Sequence, residues 1–187
     1  MSKPTERDWT AIKRIGRFLR GKPRAAALYR WQRQPSHLEV FSDSDWAGDR
    51  ATRLSMSGGC ILHGGHVLKA WAKGQQVVAL SSAEAELYAG TRAATEGLGA
   101  QSLMRDLGCT RAVTLSMDSA AALALNQREG LGRAKHIRIQ DLWMQEAVRE
   151  KRLALSKVPG EHNPADLFTK GLPADRVAHL MGLLGYH

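Results

Sequence analysis

The first stretch of regular patterning is helical. Residues 5–20 carry an apolar stripe at helical spacing: Trp9, Ile12, Ile15 and Leu19. Thr5 is followed three positions later by Asp8, the spacing at which an N-cap hydroxyl and an acidic side chain satisfy each other's backbone donors. Gly21 follows the last turn. The segment therefore predicts an amphipathic helix that begins at Thr5 and ends near Gly21.

The pattern then changes to a period of two, which is typical of strands. Residues 35–43 (PSHLEVFSD) alternate and are bounded by proline, so a strand is predicted there. Residues 57–63 and 66–72 are separated by Gly64 and Gly65. A Gly-Gly pair tolerates positive φ, and these two segments predict a β-hairpin.

Helices and strands alternate through the rest of the chain. In order, the patterns predict a helix over 81–107, a strand over 112–118, a helix over 119–126, a loop over 130–132, a helix over 136–150, a strand over 153–158 and a helix from Pro164 onward. Three strands close in sequence, followed by strands that alternate with helices, predict an α/β fold with a mixed sheet flanked by helices.

Composition narrows the class of protein. The chain has 187 residues, of which 43% are apolar and 24% charged, as expected for a globular domain. No apolar run approaches the length of a membrane span, and the start lacks the apolar segment of a signal peptide. We therefore expect an intracellular protein, cytoplasmic or nuclear, that does not bind membranes. Cys60 and Cys109 form neither a disulfide framework nor a zinc motif.

Positive charge is concentrated at the N-terminus. Residues 1–34 contain ten Lys or Arg against Glu6 and Asp8, and so carry nearly all of the net charge of +9. A basic arm beside a near-neutral body indicates a polyanionic partner, most simply nucleic acid. A solvated basic helix face is the alternative interpretation.

Acidic residues recur where the predicted strands and helices begin or end. The segment FSDSDWAGD contains three carboxylates, of which Asp43 ends the first strand. Glu86 lies in the first turns of the long helix, Asp118 ends the fourth strand, and Asp166 starts the last helix. These positions converge if the carboxyl ends of the strands share one edge. Carboxylate oxygens favour a hard ion such as Mg²⁺, although each acid alone is more typical of a turn or cap.

Five sequence blocks then point to a family. The blocks FSDSDWAGD, VALSSAEAELYA, LSMDSAAALAL, AKHIRI and VPGEHNPADLFTKGL stand in the order found in the ribonuclease H domain of Ty1/copia-type LTR retrotransposon polyproteins, which residues 36–172 resemble. The upstream TERDWTAIKRIGRFLRG resembles the connection segment after reverse transcriptase. We predict a connection helix and linker (1–34), a ribonuclease H domain (35–172) and a C-terminal helix or tail (173–187). Met1 is compatible with a polyprotein segment or a free-standing gene.

The resemblance implies a fold, an activity and a cofactor. The implied fold is ribonuclease H-like, with a mixed five-stranded sheet whose first three strands are antiparallel and whose later strands are parallel. The implied activity is endonucleolytic hydrolysis of the RNA strand of RNA/DNA hybrids with two Mg²⁺ ions, for which Mn²⁺ would substitute. Asp43, Glu86, Asp118 and Asp166 correspond to the metal-binding carboxylates. His162 corresponds to a loop histidine that assists proton transfer or product release, and a histidine that only forms local hydrogen bonds is the alternative.

The remaining site predictions concern nucleic acid. Ser81 and Ser82 precede the metal-binding helix and could hold a phosphate at its N-terminus. Lys135, Arg14 and Arg17 are further candidates for phosphate contacts. The expected partners are an RNA/DNA hybrid and the reverse transcriptase of the same polyprotein. Asp45 and Asp49 are either residues that orient the metal ligands or residues of a turn.

Three other functions fit parts of the pattern. A binding module could keep the fold while lacking activity, and another nuclease with this fold, of integrase or resolvase type, would also carry acids on its strands. A structural subunit would use the basic helix for packing. The serine block before Glu86 and the NPADLFTK block favour the ribonuclease.

Overall fold

The computed structural model describes residues 3–127 and 139–186. Its α-helices are α1 Glu6–Gly21, α2 Ser82–Asp106, α3 Ala120–Gln127, α4 Ile139–Arg149 and α5 Ala174–Leu183, and its strands are β1 His37–Asp45, β2 Met56–His63, β3 His66–Gly74, β4 Ala112–Met117 and β5 Ala154–Lys157. Two short 3₁₀ helices, Gly160–His162 and Pro164–Phe168, lie between β5 and α5. The predicted loop 130–132 and Lys135 fall outside the described residues.

All five strands form one mixed sheet in the order β3-β2-β1-β4-β5. The pairs β1–β2 and β2–β3 are antiparallel, whereas β1–β4 and β4–β5 are parallel. Gly64 takes a positive φ of 62° in the β2–β3 turn, as the hairpin prediction requires. The predicted five-stranded fold class is confirmed.

Both faces of the sheet are covered. One face packs under α2, α3 and α4, and its buried residues include Leu38, Val40, Val113, Leu115 and Met117. The other face is smaller, with Cys60 and Leu62 packed against Phe41, Phe168 and Leu184. Successive β1 side chains therefore point to opposite layers, as in any strand, and Asp43 lies on the same side as Phe41.

Helix α2 crosses β1 at very short range because it has a glycine at the contact. A Cβ on Gly97 would lie 2.7 Å from Val40 Cγ2 and 3.1 Å from Val113 Cγ1. Any side chain here would push the helix away from the sheet. The close approach fixes the position of α2 relative to β1. It therefore also fixes the position of Glu86, near the start of α2.

The segment that joins α1 to β1 is attached to the hairpin and to the C-terminus. The Tyr29 hydroxyl donates to the Val67 carbonyl over 2.8 Å, and Gln32 Nε2 donates to the His63 carbonyl over 2.8 Å. Ala27 forms an isolated antiparallel bridge with Tyr186. The backbone just after α1 and the last described residues therefore lie side by side.

Helix α1 has the predicted cap but little packing. The Asp8 N–H donates to Thr5 Oγ1 over 3.3 Å, and the Thr5 N–H donates to Asp8 Oδ2 over 2.8 Å, which completes the capping box. None of its residues is buried. The apolar stripe is largely open to solvent, with Ile15 and Leu19 both 59% exposed.

Two differences from the predicted element boundaries concern the acidic residues. Strand β1 continues past Asp43 to Asp45 because it stays paired with β2, where Asp45 opposes Met56. Asp43 is thus inside the strand, not at its end. The segment from Pro164 is a five-residue 3₁₀ helix, and the following α-helix starts only at Ala174.

Candidate metal centre

Three of the predicted carboxylates meet at one end of the parallel strands. Asp43, Glu86 and Asp118 each offer an oxygen, and these atoms all lie within 4.8 Å of one another. The parallel register, in which Phe41 opposes Ser116, carries Asp43 and Asp118 to neighbouring positions two residues further on. Glu86 enters from the first turns of α2.

Among the described residues, hydrogen-bond donors contact only one of the two carboxylate oxygens of Glu86. Its Oε1 accepts hydrogen bonds from the Ser44 backbone N–H over 3.2 Å and from the Ser44 hydroxyl over 2.9 Å. Its Oε2 is buried and has no hydrogen-bond partner among the described residues. Burial, together with the charges of Asp43 and Asp118, raises the pKa of Glu86 to about 8. Burial and the neighbouring negative charges therefore disfavour the ionised form of Glu86.

Asp43 is fully buried. It contacts residues that follow Phe168 on the smaller face of the sheet, the face on which Phe41 also lies. Thr169 donates its hydroxyl to Asp43 Oδ2, and the Lys170 ammonium lies 2.9 Å from Oδ1. Burial raises the pKa of Asp43 above its usual range, although the hydrogen bonds from Thr169 and Lys170 oppose that shift. The carboxylate thus experiences both desolvation and a compensating positive charge.

A glycine allows these groups to approach Asp43. Gly58 on β2 pairs directly with Asp43. A Cβ at Gly58 would lie 2.6 Å from Thr169 Cγ2 and 2.8 Å from Phe168 Cβ. The Pro164–Phe168 segment can therefore lie flat on β2 only because position 58 has no side chain.

The fourth predicted carboxylate, Asp166, belongs to the same region but has different neighbours. Its Oδ1 is 2.7 Å from Lys170 Nζ, and its Oδ2 is 3.3 Å from Arg176 Nη2. It is not one of the three acids that share a single oxygen cluster. Burial lowers the pKa of Lys170, but hydrogen bonds and charge from Asp166 and Asp43 outweigh this effect, so the net shift is upward.

The segment that carries Asp166 is anchored at two points. Asn163 is fully buried; its Nδ2 donates to the Ser42 carbonyl over 3.0 Å and its Oδ1 accepts from the Ala165 N–H over 3.2 Å. Arg176 donates to the Glu161 carbonyl and, over 2.6 Å, to the Gly160 carbonyl. These contacts fix the loop between β5 and α5 against β1.

The residues present fit a divalent cation. All the converging ligand atoms are carboxylate oxygens, which Mg²⁺ and Mn²⁺ prefer. The Oε2 atom of Glu86, one of the three clustered acids, is buried without a hydrogen-bond partner in the described part of the chain. An anionic cluster of this kind is costly unless positive charge neutralises it.

Asp49 lies in the turn after β1, whereas Asp45 is the last residue of β1. Asp49 accepts hydrogen bonds from the Ala51 N–H over 2.9 Å and from the Thr52 hydroxyl over 2.6 Å, and these bonds hold the pKa of Asp49 below its usual range. The Asp45 carboxylate lies where a Cβ on Gly48 would be, at 1.7 Å from Oδ2. Neither belongs to the three-carboxylate cluster.

The predicted nucleic-acid contacts lie in several places. Ser81 is the N-cap of α2, where its Oγ accepts from the Glu84 N–H over 3.2 Å, and both Ser81 and Ser82 are exposed. The side chain of His162 is 54% exposed, and its ring is 5.8 Å from that of His179. Arg14 and Arg17 line a cleft of about 530 Å³ between α1 and α5.

Sequence reasoning did not identify four of the residues that build the centre: Ser44, Asn163, Lys170 and Arg176. Lys170 had a usable signal, since it follows Asp166 by four positions in a short helical segment, the spacing of a local ion pair. Arg176 acts across the tertiary structure, and nothing in the local pattern marks it. Asn163 had a local signal as well, since it caps the Pro164–Phe168 helix.

Comparison with solved structures identifies the fold. The ribonuclease H1 LC11, isolated from compost by a metagenomic approach, superposes with a TM-score of 0.50 over 72% of this chain and 93% of that one, at 18% identity. The fold is thus that of the ribonucleases H.

Sequence comparison identifies the family. The Pol polyprotein of transposon TNT 1-94 from Nicotiana tabacum is 30% identical over 100% of this chain, and that of transposon RE1 from Arabidopsis thaliana is 32% identical over 92%. No protein-family model matches. The chain belongs to the retrovirus-related Pol polyproteins of copia-type transposons, as their ribonuclease H-like segment, and it spans 14% and 12% of the length of these two relatives.

Proposed function

We propose that this protein hydrolyses the RNA strand of RNA/DNA hybrids as a metal-dependent endonuclease. The observation that carries the proposal is the set of Asp43, Glu86 and Asp118 oxygens within 4.8 Å of one another on a ribonuclease H fold. The buried, partnerless Oε2 of Glu86 supports a cation at that point.

The four carboxylates Asp43, Glu86, Asp118 and Asp166 would hold two Mg²⁺ ions, with Mn²⁺ as a substitute. When bound, such ions activate water for attack on phosphorus and neutralise the charge on the departing 3′ oxygen of the RNA. The other protein residues of the site would hold these carboxylates in position. Ser44 orients Glu86, while Asn163 and Arg176 fix the segment that carries Asp166.

His162 is the proposed proton carrier of the site. It lies two residues after Gly160, where an added Cβ would be 3.3 Å from Asp118 Oδ2. Its side chain is more than half exposed, so the imidazole can exchange protons with solvent near the departing group.

Binding of the hybrid would depend mostly on charge and shape. The exposed Ser81 and Ser82 at the start of α2 would contact a phosphate, and Lys135 would contribute a further one. The basic face of α1, including Arg14 and Arg17, would add affinity that falls with salt. Selectivity for a hybrid would come from 2′-hydroxyl contacts across the wide minor groove.

The proposed protein partner is the reverse transcriptase of the same polyprotein. Helix α1 presents a largely exposed apolar stripe in which Trp9 is 53% and Phe18 49% exposed, and it precedes the ribonuclease H-like sheet, as a connection helix would. We place the activity inside the cell, in the cytoplasm or nucleus. No helix in the described residues is long and apolar enough to cross a bilayer.

The test uses a labelled RNA annealed to DNA, incubated with Mg²⁺ or Mn²⁺ and resolved on a denaturing gel. Wild type and Asp118→Asn are compared, with Asp49→Asn as a control because Asp49 is an exposed acid outside the cluster. Single-stranded RNA and duplex RNA test selectivity. The expected result is metal-dependent cutting of the hybrid alone, abolished only by Asp118→Asn.

The same experiment separates the rival functions. Salt-sensitive binding of the hybrid without cleavage would favour an inactive binding module. Cutting of duplex DNA in preference to the hybrid would favour a nuclease of integrase or resolvase type. Failure to bind any of these nucleic acids would leave only a structural role for the basic helix.

A further inference from the structure

A lysine ammonium stands between two of the four carboxylates. Lys170 Nζ lies 2.9 Å from Asp43 Oδ1 and 2.7 Å from Asp166 Oδ1. The side chains of Asp43 and Asp166 are only 1% and 10% exposed, whereas that of Lys170 is 40% exposed. The ammonium therefore reaches into the centre from the solvent side and contacts two buried carboxylates at once.

The other half of the centre has no such cation. Within residues 3–127 and 139–186, no Lys or Arg forms an ion pair with Glu86 or Asp118. Glu86 Oε2 is buried without a hydrogen bond from any of these residues. The described residues thus supply positive charge to the Asp43–Asp166 half and none to the Glu86–Asp118 half.

We propose that Lys170 is a resident counter-cation that a second divalent ion must displace before it can occupy the Asp43–Asp166 half of the centre. This inference rests on the proposed function, because that function requires two ions. The first ion would meet no competing Lys or Arg of the described residues at Glu86 and Asp118. The second would compete with a lysine that is covalently tethered beside its ligands.

The Lys170 side chain can move away from the centre while Asp166 stays in position. The flexible stem of Lys170 is partly exposed, so its ammonium can move into water without rearranging the backbone. Arg176 Nη2 remains 3.3 Å from Asp166 Oδ2 and is fixed by the Gly160 and Glu161 carbonyls. Asp166 therefore keeps its position during the exchange.

The tether makes the lysine an effective competitor. A group attached to the same chain as its partners acts at a high effective concentration, and partly buried charges are screened less than exposed ones. Removing the ammonium should therefore have two opposite effects. The metal-free protein loses stability because buried carboxylates repel each other, while the second ion binds more tightly because its competitor is gone.

The test is a calorimetric titration with Mn²⁺ that counts ions and measures each affinity, combined with melting curves in EDTA and in Mn²⁺. The variants are Lys170→Met and Lys170→Gln, of which the second keeps polar atoms but loses the charge. The control is Lys69→Met, because Lys69 also forms an ion pair, 2.6 Å from Glu96, but lies outside the carboxylate centre.

Both Lys170 variants should bind the second Mn²⁺ at least about tenfold more tightly than wild type. They should also melt at a lower temperature in EDTA and recover more on addition of Mn²⁺. Lys69→Met should match wild type in both affinities. A lysine with only a structural role would lower stability without improving the second affinity.

Two results would count against different claims. If wild type binds Mn²⁺ and cleaves the hybrid, but the second affinity is unchanged or weaker in both Lys170 variants, the counter-cation role is wrong and the proposed function stands. If wild type neither binds Mn²⁺ nor cleaves the hybrid, the proposed function itself fails.

Discussion

The Ser44 hydroxyl donates a 2.9 Å hydrogen bond to Glu86 Oε1, and so ties β1 to the first turns of α2 at the carboxylate centre. The Ser44 backbone N–H donates to the same oxygen. Two donors on one oxygen fix the orientation of the carboxylate. Ser44 thus orients Glu86 within the carboxylate centre.

The first prediction concerns this contact. Ser44→Ala should weaken Mn²⁺ binding about tenfold or more, because residues that orient metal ligands typically contribute that much to affinity. Calorimetric titration measures the effect. Ser42→Ala is the matched control, since Ser42 lies on the same face of β1 but its hydroxyl has no hydrogen-bond partner in the described chain. Equal losses in the two variants would contradict a specific role for Ser44.

A second prediction follows from the raised pKa of Glu86. The folded value of about 8 exceeds the ordinary 4.5, so between these pH values the folded state keeps a proton that the unfolded state has lost. Stability of the metal-free protein should therefore fall as pH rises from about 4.5 to about 8. Melting temperatures in EDTA across this range measure it, and Glu86→Gln should flatten the decline.

The same protonation predicts that metal binding releases a proton. At neutral pH a cation that binds Glu86 must displace the proton that the buried carboxyl retains. Titrations with Mn²⁺ in buffers of different ionisation enthalpy should show up to about one proton released per chain from this group. Glu86→Gln should abolish that component, and a buffer-independent heat in wild type would disprove it.

A fourth prediction tests the approach of the Pro164–Phe168 segment to β2. Gly58→Ala should destabilise the protein by about 1–3 kcal/mol, because the added methyl would overlap Thr169 and Phe168. Activity should fall as well, since Lys170 and Asp166 move with that segment. Denaturant unfolding and hybrid cleavage measure the two effects. Gly74→Ala is the strand-glycine control, with nothing within 4 Å of the added carbon, and should retain activity.

The last prediction tests whether α1 binds nucleic acid. The double variant Arg14→Ala/Arg17→Ala should weaken hybrid binding. It should also reduce the slope of log affinity against log salt concentration by the equivalent of about two phosphate contacts. Fluorescence anisotropy over a range of salt concentrations measures this. Arg105→Ala/Arg149→Ala removes the same charge from the last turns of α2 and α4, which lie at the sheet end opposite the carboxylates. An unchanged slope in the α1 variant would show that α1 serves another purpose.

The features predicted correctly from sequence depend on nearby residues. Thr5 and Asp8 lie three positions apart, and Gly64 needs only its own φ, so the capping box and the hairpin turn follow from local chemistry. The turn at Asp49 is similar, because its carboxylate bonds to Ala51 and Thr52. Asp43, Glu86 and Asp118 were placed together because they follow strands or begin helices at one edge of the sheet.

The features that sequence could not supply depend on tertiary packing. Lys170 meets Asp43 only because Gly58 lets the intervening segment rest on β2, and that contact joins residues far apart in the chain. Arg176 reaches Asp166 from α5, through a tertiary contact that the local sequence pattern does not mark. Strand β1 also extends beyond Asp43 through polar residues, because pairing with β2 continues where the apolar alternation stops.

The bridge between Ala27 and Tyr186 gives the molecule a modular architecture. The backbone at Ala27, before the first strand, and the backbone at Tyr186 are thereby adjacent. A unit whose two ends meet in this way can be transplanted between larger chains, or reopened at a distant surface turn such as Gly108, without separating the strands that hold the carboxylates. Helix α1, none of whose residues is buried, is attached at this meeting point and lies outside the sheet that carries the carboxylates.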